Sequence, residues 1–160
     1  MIGVVDVGHG RLPDGGTWRL QAGRTDRPGP DGTREVAGHL VVALPSEREH
    51  FADGTFEEPV RLGVQAALTE FPELPVRPVY GAVSRRATRV VVIPRQGPTV
   101  LSPIQAELLD GGSGLAARFW IAFLPAGTPG QTVQQVRSYD ADGRELCRLD
   151  PDNLTPRCTG

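Results

Sequence analysis

Two cysteines lie near the C-terminal end of the sequence, Cys147 and Cys158. A thiol pair at this spacing can close a short loop, and in an oxidising compartment the crosslink stabilises a fold by about 2.5–3 kcal/mol on a chain-entropy argument. The spacing matches no zinc pattern, and no histidine lies nearby in the sequence. We therefore expect a disulfide, with two unpaired thiols in a reducing cytoplasm as the alternative.

Carboxylates follow one another beside these cysteines, at Asp140, Asp142, Asp150 and Asp152. Calcium prefers such oxygen ligands, and Asp-x-Asp-Gly opens the loop of an EF-hand. The rest of that loop is missing, because Arg144 follows the glycine and no glutamate occupies the twelfth position. We therefore favour turns in which the aspartate side chains hydrogen-bond to the nearby backbone over a calcium site, and we assign no cofactor.

The three histidines, His9, His39 and His50, are far apart in the sequence, and Asp6 lies three residues before His9. A Ser-His-Asp arrangement needs a histidine held by an acid and facing an exposed serine, and no serine sits in a Gly-x-Ser-x-Gly elbow. The glycine-rich segment 110–114 lacks the lysine and the helix of a phosphate-binding loop. We assign no catalytic residue.

Aromatic side chains alternate in the segment Arg118–Leu124, where Phe119 and Phe123 point to one side and Trp120 to the other. Aromatic residues at this spacing usually belong to a core. Because Trp120 points away from the other two rings, Trp120 with Arg118 is the candidate contact pair for a partner.

All 17 basic residues are arginines, the net charge is −2 and the isoelectric point is near 5.9. This balance exerts no long-range attraction on a polyanion, so we expect no nucleic-acid partner. No stretch reaches the roughly 18 apolar residues of a membrane helix. The chain opens on strand-like sequence without a signal peptide, which favours a piece of a secreted or membrane-anchored protein over a cytoplasmic one.

The segments that carry these residues are predicted to be β-strands. Apolar runs recur about every ten residues with turn signals between them, which is typical of a β-sandwich or barrel. The strongest run is Thr88–Ile93, and the segment Val133–Gly143 predicts a hairpin that reverses at Asp140–Gly143. We expect an all-β, antiparallel β-sandwich. It forms either one continuous domain or two similar lobes, 1–75 and 76–160, separated by an extended segment at Pro72–Pro78.

Two polar segments, Arg24–Gly38 and Ser46–Glu58, are predicted to be long exposed loops. Long polar loops at one end of a sandwich often carry binding. We expect a ligand or partner to be held there.

Three short motifs occur in a particular order: Thr17-Trp18-Arg19-Leu20, then Val79–Val83 followed by Thr88-Arg89-Val90, then Val133–Gly143. In this order they resemble uncharacterised β-rich extracytoplasmic domains of actinobacterial secreted or membrane-anchored proteins. The resemblance implies an immunoglobulin-like or transthyretin-like sandwich and carries over no catalytic residue.

Three functions are considered on this basis. The leading hypothesis is a non-enzymatic extracytoplasmic interaction or sensor module, whose partner is another protein or a component of the cell envelope. The second is a structural module within a larger assembly, and the third is a cryptic hydrolase. The sequence sets neither the ligand nor the oligomeric state.

Overall fold

Every regular element among the described residues is a β-strand, which confirms the predicted all-β class. The computed structural model describes residues 2–25, 34–46, 48–58, 60–66, 76–109, 114–115, 117–125, 131–150 and 155–159. The strands are β1 (Ile2–Arg11), β2 (Thr17–Arg24), β3 (Arg34–Ala43), β4 (Glu49–Glu58), β5 (Leu62–Ala66), β6 (Val76–Val83), β7 (Arg89–Gln96), β8 (Thr99–Val100), β9 (Ile104–Gln105), β10 (Glu107–Leu109), β11 (Arg118–Pro125), β12 (Gln131–Tyr139), β13 (Glu145–Leu149) and β14 (Arg157–Cys158).

The strands form three antiparallel sheets. The first sheet has the order β1-β2-β3-β4, and the middle sheet has the order β10-β11-β6-β5. The third sheet runs β14-β13-β12-β7-β8, with β9 also paired to β7. No described residue belongs to a helix that is long and apolar enough to cross a membrane.

The middle sheet is buried on both faces. Phe119 and Ile121 of β11 pack with side chains of the first sheet in one hydrophobic core. Trp120 and Ala122 of the same strand pack with side chains of the third sheet in a second core. Because successive side chains of a strand alternate between faces, a strand between two cores reads as the nearly continuous apolar run seen at 119–124.

A notch in the first sheet receives Tyr80 of the middle sheet. Gly38 and Gly54 are directly opposite each other on β3 and β4, and a Cβ atom on Gly38 would come within 2.9 Å of the Tyr80 ring. The buried Tyr80 hydroxyl lies 3.0 Å from the carbonyl oxygen of Ala52 and 3.2 Å from that of Gly38. Tyr80 therefore joins the middle sheet to the strands β3 and β4 of the first sheet.

The predicted hairpin is present as β12 and β13, which pair in antiparallel fashion. Asp140 Oδ1 accepts hydrogen bonds from the backbone N–H groups of Asp142 and Arg144, both at 2.9 Å. Gly143 has a φ of 80°, a conformation that side chains with a Cβ rarely adopt. The turn chemistry of the sequence therefore specifies this reversal.

The strand pairing bears on the proposed division into two lobes. The strands β5 and β6 lie on either side of residue 75, and they pair over five residues in the middle sheet. Residues 71–75 lie outside the described part of the chain, while Val76–Pro78 belong to β6. The middle sheet thus takes strands from both sides of the boundary.

The prediction of a charged loop at Ser46–Glu58 is wrong for most of its length. Residues Glu49–Glu58 form β4, which pairs with β3 over ten consecutive positions. The inward positions include the small residues Ala52 and Gly54, so the alternation of apolar and polar residues along β4 is weak. The predicted loop Arg24–Gly38 is likewise strand from Arg34 onward, and its residues 26–33 lie outside the described residues.

Candidate functional site

The two cysteines are bonded to each other. Cys147 and Cys158 are opposite one another on β13 and β14, with the sulfur atoms 2.10 Å apart and the Cα atoms 4.1 Å apart. The N–H of Thr159 donates to the carbonyl of Leu146, so the cysteines occupy a non-hydrogen-bonded pair, the closer of the two antiparallel pair types. The crosslink holds the two-residue strand β14 against the third sheet.

The aspartates considered for calcium have other partners. Asp140 caps the hairpin turn, and Asp150 accepts a hydrogen bond from Gln135 at 2.9 Å and pairs with Arg157 at 3.3 Å. Asp142 lies in the same turn as Asp140, and Asp152 lies outside the described residues. Within the described ranges, no three acidic, histidine or cysteine side chains are grouped so as to hold a metal ion.

The candidate contact pair, Arg118 and Trp120, does not form an exposed site. Trp120 does point away from Phe119, but the third sheet covers that face and leaves the side chain fully buried. The Arg118 guanidinium donates to the carbonyl oxygen of Ala87 at 2.9 Å. The expectation of an exposed tryptophan was wrong. In a sandwich of two sheets the outer face of each sheet is exposed, but here a third sheet covers the face of the middle sheet that carries Trp120.

The outer face of the first sheet brings together residues that the sequence leaves far apart. The strand registers place three sets of outward side chains in rows across the sheet. The rows are His9–Arg19–Val41–Phe51, Asp6–Gln21–His39–Asp53 and Arg11–Thr17–Ala43–Glu49. With strands about 4.8 Å apart, each row spans about 14 Å.

An aromatic platform, which we define as Phe51 with His39 and Asp53, lies at one side of this face. The Phe51 and His39 rings are stacked, with centroids 5.4 Å apart and planes inclined by 18°. The Nδ1–H group of His39 donates to Asp53 Oδ1. Phe51 remains 51% exposed, so part of its ring is available to a ligand while the stacking on His39 holds its orientation.

Tyr80 supports the platform from the opposite side of the sheet. Its hydroxyl bonds to the carbonyls of Gly38 and Ala52, the residues that directly precede His39 and Asp53 in the chain. The backbone beneath the platform is therefore tied to the middle sheet.

A groove of about 350 Å³ lies beside the platform. We call it the arginine groove, and its lining is His9, Gly10, Arg11, Thr17, Trp18, Arg19, Val41, Ala43 and Glu49. Val41 is also the cross-strand neighbour of Phe51, so the groove and the platform are continuous. Within the described ranges, Arg11 and Arg19 make no ion pair or side-chain hydrogen bond, and Glu49 is the one acidic residue of the lining.

A second charged surface is the outer face of the third sheet. Arg137, Arg148 and Arg157 are cross-strand neighbours on three adjacent strands. The Arg148 guanidinium donates two hydrogen bonds to Glu145, at 2.9 and 3.0 Å, and Glu145 also lies 3.8 Å from Arg137. Asp150 pairs with Arg157. These charges neutralise one another, which makes this face a weaker candidate for ligand binding than the arginine groove.

The His39–Asp53 pair has the orientation of a histidine held by an acid. No described serine, threonine or cysteine side chain hydrogen-bonds to the His39 ring, and His39 lies outside the arginine groove. The hydrogen bond to Asp53 orients the His39 imidazole on an open surface, where the ring stacks on Phe51 and presents a polar edge to solvent.

Comparison of the chain with protein-family models, with curated proteins and with solved structures finds no match. The site is therefore interpreted from its own geometry.

Sequence reasoning missed Phe51, Arg11, Arg19 and the contact between His39 and Asp53. The outward residues of β4 alternate from Glu49 through Phe51 and Asp53, which is a signal for a strand with a polar outer face. Pairing His39 with Asp53 also requires the register of β3 and β4, which a single sequence does not supply.

Proposed function

We propose that this protein is a non-enzymatic interaction module that acts outside the cytoplasm and binds its partner through the outer face of the first sheet. The partner is another protein or a component of the cell envelope. The observation that carries the proposal is the continuity of the aromatic platform with the arginine groove. An exposed ring fixed by stacking lies beside two arginines that have no ion pair among the described residues, and together they provide contact area and specificity at little ordering cost.

The disulfide supports the compartment. Disulfides persist in oxidising environments and are rare in the cytoplasm, so the bonded pair Cys147–Cys158 agrees with an extracytoplasmic location. The resemblance to extracytoplasmic actinobacterial domains points the same way and stays part of the proposal.

Co-sedimentation with isolated bacterial cell envelopes tests this function. We expect the protein to sediment with the envelopes, and the variant Phe51→Ala to lose most of this binding. Val100→Ala is the matched control, because Val100 is 53% exposed on β8 of the third sheet. Absence of binding by the unmodified protein, or equal binding by the two variants, contradicts the proposal.

A hydrolase is the second candidate, and the His39–Asp53 hydrogen bond is the observation that favours it. Turnover of a p-nitrophenyl ester that falls to the buffer rate in His39→Gln would support catalysis. Turnover that persists in this variant would remove His39 from consideration.

A further inference from the structure

We propose that the ligand of this face is an anionic glycan. Its sugar rings lie on the aromatic platform, and its negative substituent, a carboxylate or a phosphate, binds between Arg11 and Arg19 in the arginine groove. The inference rests on the proposed function and names the chemical class of the partner.

The charges of the groove favour a negative group. In the strand register Arg11 is opposite Thr17, which is two residues from Arg19, so the two arginines are diagonal neighbours about 7–8 Å apart at their Cα atoms. His9 is directly opposite Arg19. Neither arginine has an ion-pair partner within the described ranges, so their ten N–H donors are available to a ligand. A guanidinium group forms bidentate hydrogen bonds with a carboxylate or a phosphate.

The platform favours a sugar ring. One face of Phe51 is stacked on His39 and half of its surface is open, and such a flat apolar surface suits the C–H face of a sugar. Two polar side chains lie in the row that adjoins Phe51: Asp53 accepts hydrogen bonds, and Gln21, opposite His39 in the register, both donates and accepts. A sugar ring has an apolar C–H face that suits the Phe51 ring, and its hydroxyl groups suit hydrogen bonds with the polar side chains.

The composition of the face argues against the other large ligands. A protein partner usually covers a well-packed apolar centre, whereas Phe51 is here flanked by Val41, itself only 7% exposed, and otherwise by polar side chains. A nucleic acid requires a broad excess of positive charge, and the net charge of this chain is −2. A glycan chain fits a polar face about 14 Å wide with one aromatic ring and one pair of arginines.

Calorimetric titration with three purified glycans tests the inference. A hyaluronan hexasaccharide supplies carboxylates, a poly(ribitol phosphate) teichoic acid that carries N-acetylglucosamine supplies phosphates beside sugar rings, and chitohexaose is the neutral comparison for the first. We expect at least one anionic glycan to bind at least about tenfold more tightly than chitohexaose, and the preferred one identifies the substituent.

Variants assign the binding to this face. The double variant Arg11→Gln/Arg19→Gln is expected to weaken the anionic glycan by at least about tenfold and to leave the weak affinity for chitohexaose unchanged. The matched control is Arg86→Gln/Arg144→Gln, which removes two exposed arginines from turns outside this face. Circular dichroism of each variant verifies that the strands are intact.

The outcomes separate the inference from the proposed function. Equal affinity for neutral and anionic glycans, or equal losses in the two double variants, overturns the anionic glycan while leaving the binding face intact. Binding to envelopes that depends on Phe51, without binding to any of the three glycans at millimolar concentration, also overturns it and points to a protein partner. Failure of the unmodified protein to bind envelopes contradicts the proposed function itself, whatever the glycans show.

Discussion

The indole ring of Trp120 lies directly against Gly81 on the adjacent strand of the middle sheet. A Cβ atom at residue 81 would come 2.7 Å from the ring and 2.0 Å from the carbonyl oxygen of Gly63. Because one of these contacts is backbone, we expect Gly81→Ala to lower the free energy of unfolding by about 3 kcal/mol. Urea denaturation measures this change.

A matched control for this prediction is Gly8→Ala on β1. The three atoms nearest to its new Cβ all belong to the Leu109 side chain, the closest at 2.8 Å, and none is backbone, so we expect a smaller loss. Equal losses in the two variants would show that the close packing around Gly81 does not limit stability.

The indole nitrogen of Trp120 is buried and finds no acceptor within the described part of the chain. Trp120→Phe removes this unpaired donor along with some packing, so we expect a loss of about 1 kcal/mol or less. Trp120→Ala leaves a large cavity between two sheets and should cost about 4 kcal/mol. Thermal unfolding of both variants measures the contrast, and equal costs would contradict it.

The hydroxyl of Tyr80 is expected to matter for both stability and binding. Tyr80→Phe removes the single O–H donor that lies within hydrogen-bond distance of two buried carbonyls, and we predict a loss of about 1 kcal/mol in urea denaturation. Because those carbonyls lie beneath the platform, glycan affinity should fall as well. If the affinity of Tyr80→Phe equals that of the unmodified protein, the platform does not depend on this tie.

The disulfide is expected to stabilise the native state by constraining the unfolded chain. Its loop of 11 residues corresponds to about 2.5–3 kcal/mol, so reduction, or the variant Cys147→Ser/Cys158→Ser, should lower the urea midpoint accordingly. The reducing agent should have no effect on the double variant, which serves as the control. Two titratable thiols in the unfolded, non-reduced protein would contradict the crosslink.

Glu145 is expected to relieve repulsion between two arginines. Arg137 and Arg148 are opposite each other, and Glu145 contacts both. Glu145→Gln should therefore destabilise the fold by about 1 kcal/mol, and added salt should reduce this loss. The control is Glu107→Gln, an exposed glutamate on β10, for which we expect no change in the denaturation midpoint.

The strands with strong alternation or continuous apolar runs were predictable from sequence. The β-hairpin was specified by the aspartate-glycine turn at 140–143, and β11 by its run of large apolar side chains. The disulfide was predictable because only two cysteines are present, and they lie close together.

The strand β4 and the third layer were not predictable from sequence. The inward positions of β4 include Ala52 and Gly54, because the opposite sheet contributes the bulky Tyr80 at that point, and small residues give no hydrophobic period. The burial of Trp120 and the pairing of His39 with Asp53 both depend on which strands become neighbours. That information lies in the tertiary arrangement rather than in any local stretch of sequence.

The middle sheet, with its two covered faces, couples the unfolding of the two outer sheets. The strands β6 and β11 each supply residues to both hydrophobic cores. If either outer sheet detached, large side chains of these two strands would be exposed to water. Partial opening thus sacrifices the contacts of an entire interface, and the energetic penalty favours a single unfolding transition over the stepwise loss of separate lobes.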